Sequence, residues 1–370
     1  MTTAITAIGT ANPVHKYNQK TIAEILANLL NLGMVKKRLL KSIYNSSGIE
    51  TRYSVLADTS QTKEQFTFIP DSSAEEYPST SERMEIYRQN ALHLCLKAIE
   101  NCLATQSDFD RQQITHLITV SCTGMYAPGI DIEIIQTLNL NSNVKRTAIQ
   151  FMGCYAAFNG IKTADAFCKA DKNAKVLVVC VELCTIHLQH KQDLDNLISN
   201  AIFADGAACV LIEAAPQQKK HLSLDVFHCD LLPQSNQEMA WHIGDHGFDM
   251  VLTSYVPQVI KSGIAHFVAN LIAQSKLTPE EIDIYAIHPG GIKILQACED
   301  ALAISKEKTK YSYEILRNFG NMSSATILFV LKSIWDDVKP LIDHNKTIFS
   351  CAFGPGLTLE SMLLTIKDGE

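Results

Sequence analysis

Cys154 sits where a run of strand character, Val144-Lys-Arg-Thr-Ala-Ile-Gln-Phe151, breaks through Met152-Gly153 into an apolar pattern of helical period. That pattern runs through Phe158, Ile161, Ala164 and Phe167. A residue at such a break lies at a helix N-terminus, where unpaired N–H groups and the helix dipole favour a thiolate. Gly153 permits the tight turn, so Cys154 reads as a nucleophile. A cysteine nucleophile for acyl transfer needs a base or cationic partner and donors for a developing oxyanion. Two other stretches offer these. Ala286-Ile-His-Pro-Gly-Gly291 puts His288 at the C-terminal end of a buried strand, where ligands collect in open α/β sheets. It is either a satisfied core histidine or a catalytic group, and the Pro-Gly-Gly that bends the backbone after it favours the second. Asn318-Phe-Gly-Asn-Met-Ser-Ser-Ala325 puts Asn321 just before a long helix, as an N-cap or as a carboxamide donor.

The elements that must position these groups alternate between strand and helix. Strands are expected at 2–8, 115–121, 144–151, 175–181 and 207–213, with helices at 21–32, 81–104, 131–138 and after Cys154. Residues 59–81 are polar and rich in Ser and Thr, a surface excursion. Pro216-Gln-Gln-Lys-Lys220 is the most linker-like segment, and the theme restarts after it. Strands at 222–228, 284–288, 347–353 and 360–366 then alternate with helices at 256–273, 291–302 and 322–338. The pattern predicts an α/β protein of two similar layered halves, residues 1–215 carrying the cysteine and 221–370 carrying the histidine and asparagine.

Composition excludes several classes. Of 370 residues, 46% are hydrophobic and 19% charged, enough for two domains or one large two-part core. A net charge of −7 argues against a broad nucleic-acid surface. No apolar stretch approaches the roughly 20 residues that span a bilayer, and no signal core follows the N-terminus, so a cytoplasmic protein is expected. The 11 cysteines are odd in number and scattered, and read as reduced. No metal site is expected, since Cys180 and Cys184 are a lone pair. Lys36, Lys37, Arg38 and Lys41 form a small basic cluster, either a solvated helix face or a phosphate contact.

Taken together, the order Gly153-Cys154, His288-Pro-Gly-Gly291, Gly320-Asn-Met-Ser-Ser-Ala325 and Phe353-Gly-Pro-Gly-Leu-Thr358 resembles the type III polyketide synthases of the chalcone synthase superfamily. Ile8-Gly-Thr-Ala-Asn-Pro13, Leu177-Val-Val-Cys-Val-Glu182 and Phe203-Ala-Asp-Gly-Ala-Ala208 extend the resemblance to most of the chain. It implies a thiolase-like fold with a layered αβαβα core, a homodimer, and condensation of malonyl-CoA onto an acyl starter without metal or redox cofactor. It places the catalytic groups on Cys154, His288 and Asn321, with His288 pairing the Cys154 thiolate. Asn321 and His288 then stabilise the enolate left by decarboxylation.

The resemblance also implies a pocket. The gate between the CoA tunnel and the cavity falls on Phe203 and Met250, a methionine where plant relatives carry phenylalanine. Cavity positions fall on Cys122, Cys184, His187 and Ser323, and the cyclisation loop on Gly354 and Pro355. Glu182-Leu-Cys-Thr-Ile-His187 is closer to bacterial enzymes that make alkylpyrones or alkylresorcinols. His187 is open between orienting a substrate oxygen and a structural hydrogen bond. The CoA-phosphate cations are poorly matched: Lys41, Arg52 and Lys293 are the candidates, which leaves an acyl-carrier-protein starter open beside acyl-CoA. A ketoacyl-carrier-protein synthase of the third type, stopping after one condensation, and a silent acyl-binding paralogue are the alternatives.

Overall fold

The computed structural model describes residues 2–30, 32–58, 66–70, 77–106, 109–214, 216, 220–232, 238–253 and 255–368. Parts of the expected surface excursion and of the linker lie outside them. In the first half the strands are β1 (Thr3–Ala11), β2 (His15–Asn18), β3 (Thr51–Ser54), β4 (His116–Ser121), β5 (Lys145–Gln150), β6 (Lys175–Leu183) and β7 (Asp205–Ala214). The second half holds β8 (Lys220–Leu231), β9 (Met239–Gly244), β10 (Gly247–Leu252), β11 (Ile282–Ile287), β12 (Thr347–Gly354) and β13 (Thr358–Asp368). Helices α1 (Gln19–Leu29), α2 (Met34–Ser46), α3 (Thr80–Leu103), α4 (Ile130–Thr137), α5 (Ala156–Ala170) and α6 (Leu194–Ile202) precede α7 (Val256–Ile272), α8 (Ile292–Leu302), α9 (Lys310–Phe319) and α10 (Ser324–Asp337).

Nine strands form one sheet in the order β11-β12-β13-β8-β1-β7-β6-β4-β5. Its two halves repeat one pattern of strand senses. From β1 outward the pairings are antiparallel to β7, antiparallel to β6, then parallel to β4 and β5. From β8 outward they are antiparallel to β13, antiparallel to β12, then parallel to β11. The halves meet through β1 and β8, which pair at Ala4–Ser223 and Ile5–Leu222. This is the expected fold of two related halves.

Side-chain alternation produces the layers, because successive strand residues face opposite sides. On β6, Val176, Val178 and Cys180 face one core while Leu177, Val179 and Val181 face another. On β12, Ile348 and Ala352 join the first of these cores, and Phe349, Cys351 and Phe353 a third. The shared core holds α5 and α10 between the half-sheets; α3 covers the outer face of one half and α7 and α8 that of the other. Buried on nearly every side, α10 is apolar around most of its circumference, with Ile327, Leu328, Val330 and Leu331 all inaccessible. The two central helices are the ones whose N-terminal approaches carry Cys154 and Asn321.

Helices α6 and α9 and the hairpin β9–β10 escape the sequence reading. The exposed residues of the hairpin obscure its period, whereas α9 has a clear helical period, with Tyr311, Ile315 and Leu316 buried on one face, that the reading passes over. No helix among the described residues is long and apolar enough to cross a membrane.

Candidate functional site

The turn that carries the nucleophile is built from backbone conformations that most residues avoid. Phe151, the first residue after β5, has φ 61°, and Gly153 has φ 81°. A Cβ on Gly153 would collide with Pro355 Cδ. Pro355 thus closes over the turn, and Gly354 before it packs so tightly on Tyr155 that no side chain fits there. Cys154 is 7% exposed and stands two residues before α5, the junction the sequence predicts.

Asn321 enters from the other half. Its backbone N–H donates to Ile202 O at 2.9 Å, and its carbonyl accepts from Ala204 N–H at 2.8 Å. Its side-chain oxygen accepts from Ser323 N–H at 2.8 Å and from Thr326 Oγ1 at 3.3 Å. With Oδ1 so held, Nδ2 is directed to Gly290 O at 3.4 Å and to Cys154 Sγ at 4.0 Å. Ser323, which supplies the orienting N–H, is itself in the left-handed region at φ 45°. Strain of this kind concentrates where a side chain must be aimed.

His288 follows β11 and is 1% exposed. Neither ring nitrogen has a hydrogen-bond partner among the described residues. Buried imidazoles usually have partners, so both nitrogens of this one are available to a reacting group in the chamber that the ring lines. Cys154, His288 and Asn321 line one chamber with Cys122, Ser323, Met239, Phe353 and Pro355. The three groups that the sequence places far apart therefore meet.

Burial dominates the electrostatics. It pushes the Cys154 thiol up to about 12, against smaller downward pulls from hydrogen bonds to Ser323 and Asn321. Burial also pushes His288 down to about 3. Burial thus opposes charge on either group taken alone. Moving the proton from sulfur to imidazole leaves the chamber's net charge unchanged, so burial opposes a thiolate–imidazolium pair less than it opposes either charge alone.

A second cavity adjoins the chamber. Cys184, Phe203, Trp241 and Met250 line both, so they form the partition between them. Beyond it the walls are largely apolar, including Ile22, Ile25, Leu26, Leu56, Ile69 and Leu188. A third cavity opens on the other side. It shares Leu252, Gly290 and Ile294 with the chamber and is lined by Ile43 and Ser46 of α2, by Ser47 just after it, and by Ile292 and Lys293 of α8. The chamber is thus reached from one side and extended on the other.

His187 is a structural residue. Its Nε2–H donates to Thr123 O at 2.7 Å, and its Nδ1 accepts from Phe248 N–H at 2.9 Å. The ring stacks on Phe248 with centroids 4.2 Å apart, leaving no nitrogen for substrate. Arg52 is a correction as a phosphate contact. It is 5% exposed, donates to Gln19 Oε1 at 2.8 Å and Asn200 O at 3.0 Å, and bonds to Phe203 O. Its charge is spent holding the backbone of the partition. Lys41 lies on the exposed side of α2, 4.0 Å from Glu24, and lines none of the three cavities. Lys293 alone of the three stands at the mouth.

The sequence reading gave no role to two residues of the site. Trp241 stands opposite Met250 in the β9–β10 hairpin, and its indole N–H donates to Cys122 O at 2.8 Å. Its signal is a tryptophan alternating with Met239 and Ile243 ahead of a Gly-Asp-His-Gly turn. Glu182, wholly buried, accepts from Cys122 N–H at 3.0 Å and Thr123 Oγ1 at 2.7 Å, and bonds to Ser324. Its signal is a carboxylate inside the otherwise apolar strand β6. Burial raises its pKa, against smaller downward pulls from its hydrogen bonds to Ser324, Cys122 and Thr123.

Residues 2–216 match the N-terminal domain of chalcone and stilbene synthases, and residues 223–367 match the C-terminal domain of the same family. The chain belongs to the chalcone and stilbene synthase family. Within it, the chain is 29% identical over 366 residues to an alpha-pyrone synthesis polyketide synthase-like protein, Pks18, of Mycobacterium tuberculosis, covering 98% of this chain and 91% of that one. It is 27% identical over 373 residues to the 1,3,6,8-tetrahydroxynaphthalene synthase of Streptomyces peucetius subsp. caesius, covering 98% and 93%. Among solved structures, PKS-I from the brown alga Ectocarpus siliculosus superposes with a TM-score of 0.91 at 27% identity, over 98% of each chain. The C-terminal type III domain of Steely1 from Dictyostelium gives 0.89 at 26%, over 99% of each. The fold and reaction class are those of a type III polyketide synthase, an acyltransferase.

Proposed function

We propose that the enzyme loads an acyl starter from a pantetheine thioester onto Cys154 and extends it with malonyl-CoA. The product is a cyclised pyrone, resorcinol or phloroglucinol-type compound. His288 takes the Sγ proton and pairs with the thiolate, sulfur attacks the starter thioester, and the proton passes to the departing thiol. Malonyl-CoA then loses carbon dioxide; the electron pair of the broken C–C bond becomes an enolate, whose oxygen faces the N–H of His288 and Nδ2 of Asn321. Donors fixed in place before charge develops act with little reorganisation, and inside a dry chamber they act strongly. The enolate carbon attacks the acyl-Cys154 carbonyl, sulfur leaves, and the lengthened chain passes to CoA.

One observation supports this reading above the rest: Cys154, His288 and Asn321 line a chamber with an open mouth on one side and an apolar cavity on the other. That cavity suits a fatty acyl tail, which needs apolar surface and no donors. Incubation with malonyl-CoA and acyl-CoA starters of increasing length, followed by mass spectrometry, tests it. Multiply extended, cyclised products are expected, favouring long chains. A lone β-ketoacyl thioester points instead to a single-condensation enzyme, and no product from any starter removes the condensing role.

A further inference from the structure

We propose that the solvent face of α2 is a docking surface for an acidic carrier protein that presents the acyl starter on a phosphopantetheine arm. The inference rests on the condensing reading above and names the partner that supplies its starter.

Helix α2 reads Met34-Val-Lys-Lys-Arg-Leu-Leu-Lys-Ser-Ile-Tyr-Asn-Ser46, with four cations and no carboxylate in a chain of net charge −7. It buries Leu40 and Tyr44 and leaves large apolar side chains in water: Met34 is 78% exposed, Val35 82% and Leu39 44%. Residues four apart share a helix face, so Val35, Leu39 and Ile43 form one row. That row ends at the mouth of the catalytic chamber, which Ile43 and Ser46 line. Lys36 and Arg38 flank it.

A free CoA nucleotide asks for cations at the rim, where its phosphates would rest. The rim offers Ile43, Ser46, Ser47, Ile198, Pro257 and Ile292, and Lys293 is the one cation among its described lining residues. The nearer Lys41 turns to the other side of the helix beside Glu24, and at 1.5 Å per residue Arg38 and Lys36 are about 12 and 15 Å along the helix from Ser46. They also stand beside exposed apolar side chains, which phosphates do not use. An apolar centre with charge around it is the pattern of a protein interface. A carboxylate-bearing partner with a small apolar spot fits it, and its arm would enter at the end of the row. An anionic bilayer fits less well, because an extended plane meets the net-negative chain as well as this helix.

The test compares two donors of one acyl group, acyl-CoA and the same acyl chain on a holo acyl-carrier protein, in the wild type and in two variants. These are the double variant K36E/R38E and the single variant Val35→Asp. With the carrier as donor, kcat/KM is expected to fall about tenfold or more, and the wild-type rate to drop as salt rises. With acyl-CoA as donor it should stay within about twofold, which also shows that the variants are folded. An equal fall with both donors assigns α2 to nucleotide phosphates and overturns the proposal. So does no fall with either, or loss of binding to phosphatidylglycerol vesicles with the carrier reaction intact. A wild type that extends acyl-CoA but never the carrier-bound chain overturns the docking surface alone; one that extends neither removes the condensing reading as well.

Discussion

Phe203 and Asn321 are joined by a parallel β-bridge, so the partition residue and the carboxamide donor share one piece of backbone. The bridge holds Asn321 through Ile202 O and Ala204 N–H, independently of the Phe203 ring. The two side chains therefore divide their effects. Asn321→Ala removes the Nδ2 donor, and loss of one oxyanion donor costs about 10²–10³ in rate. Malonyl-CoA decarboxylation and extension should fall by that much while starter acylation of Cys154 persists. Intact-protein mass spectrometry after loading checks the second half, and absence of the acyl adduct would sink this division of labour.

Phe203→Ala leaves the same bridge in place. Decarboxylation should stay near wild type while the passage between chamber and cavity widens. Starter competition experiments should show a shift toward bulkier acyl groups. A collapse of decarboxylation in this variant would mean that the ring, and not the backbone, positions Asn321.

Trp241 is the bulkiest member of the partition, set edge-on to His187 and Phe248 at 5.6 and 5.8 Å. Trp241→Ala removes the indole from the wall between chamber and cavity and should favour longer starters over short ones, by about tenfold in relative kcat/KM, the scale set by small changes in apolar pocket contact. Unchanged selectivity across a starter series would show that the tail never passes this residue.

How far the sequence reads the site depends on how each residue is held. Cys154 and Asn321 announce themselves through local chain chemistry: a strand breaking at Met-Gly, and an asparagine just before an apolar helix. His288 is marked by the Pro-Gly-Gly that follows it. Trp241 carries no such mark, because its place comes from pairing with Met250 across a hairpin and from Cys122 O in the other half. Arg52 misleads for the same reason. An arginine reads as a surface cation, and only the carbonyls of Asn200 and Phe203, remote in sequence, turn it into an internal brace. The repeated strand–helix order carries the fold, since its buried strands and central helices are apolar on both faces.

Two buried histidines give stability an acid limb. Burial holds both His187 and His288 down to about 3, against about 6.5 in an unfolded chain. Between those values the unfolded state binds protons that the folded state refuses. The stability they support is complete above about pH 6.5 and is lost as pH falls toward 3. Each contributes up to about 1.4 kcal/mol per pH unit in that window. In His187→Gln, urea-unfolding free energies measured at pH 7, 6 and 5 should fall less steeply than in the wild type, by about one proton's worth. Parallel slopes would show that His187 titrates normally in the folded protein.

Gly153 sets where the sulfur points. At φ 81° an L side chain is strained, and a Cβ there meets the rigid ring of Pro355 rather than a flexible tip. Gly153→Ala must therefore shift either the turn or the Gly354-Pro355 segment above it. Left-handed strain and crowding together should cost about 1–3 kcal/mol, seen as a lowered melting temperature. The larger effect falls on chemistry, because a displacement of about 1 Å at a reacting atom can cost about 10²-fold in rate. Starter acylation should then slow far more than the stability loss accounts for, with the variant still folded at assay temperature. If acylation keeps its wild-type rate, the sharp turn is dispensable and Cys154 owes its position to the walls of the chamber.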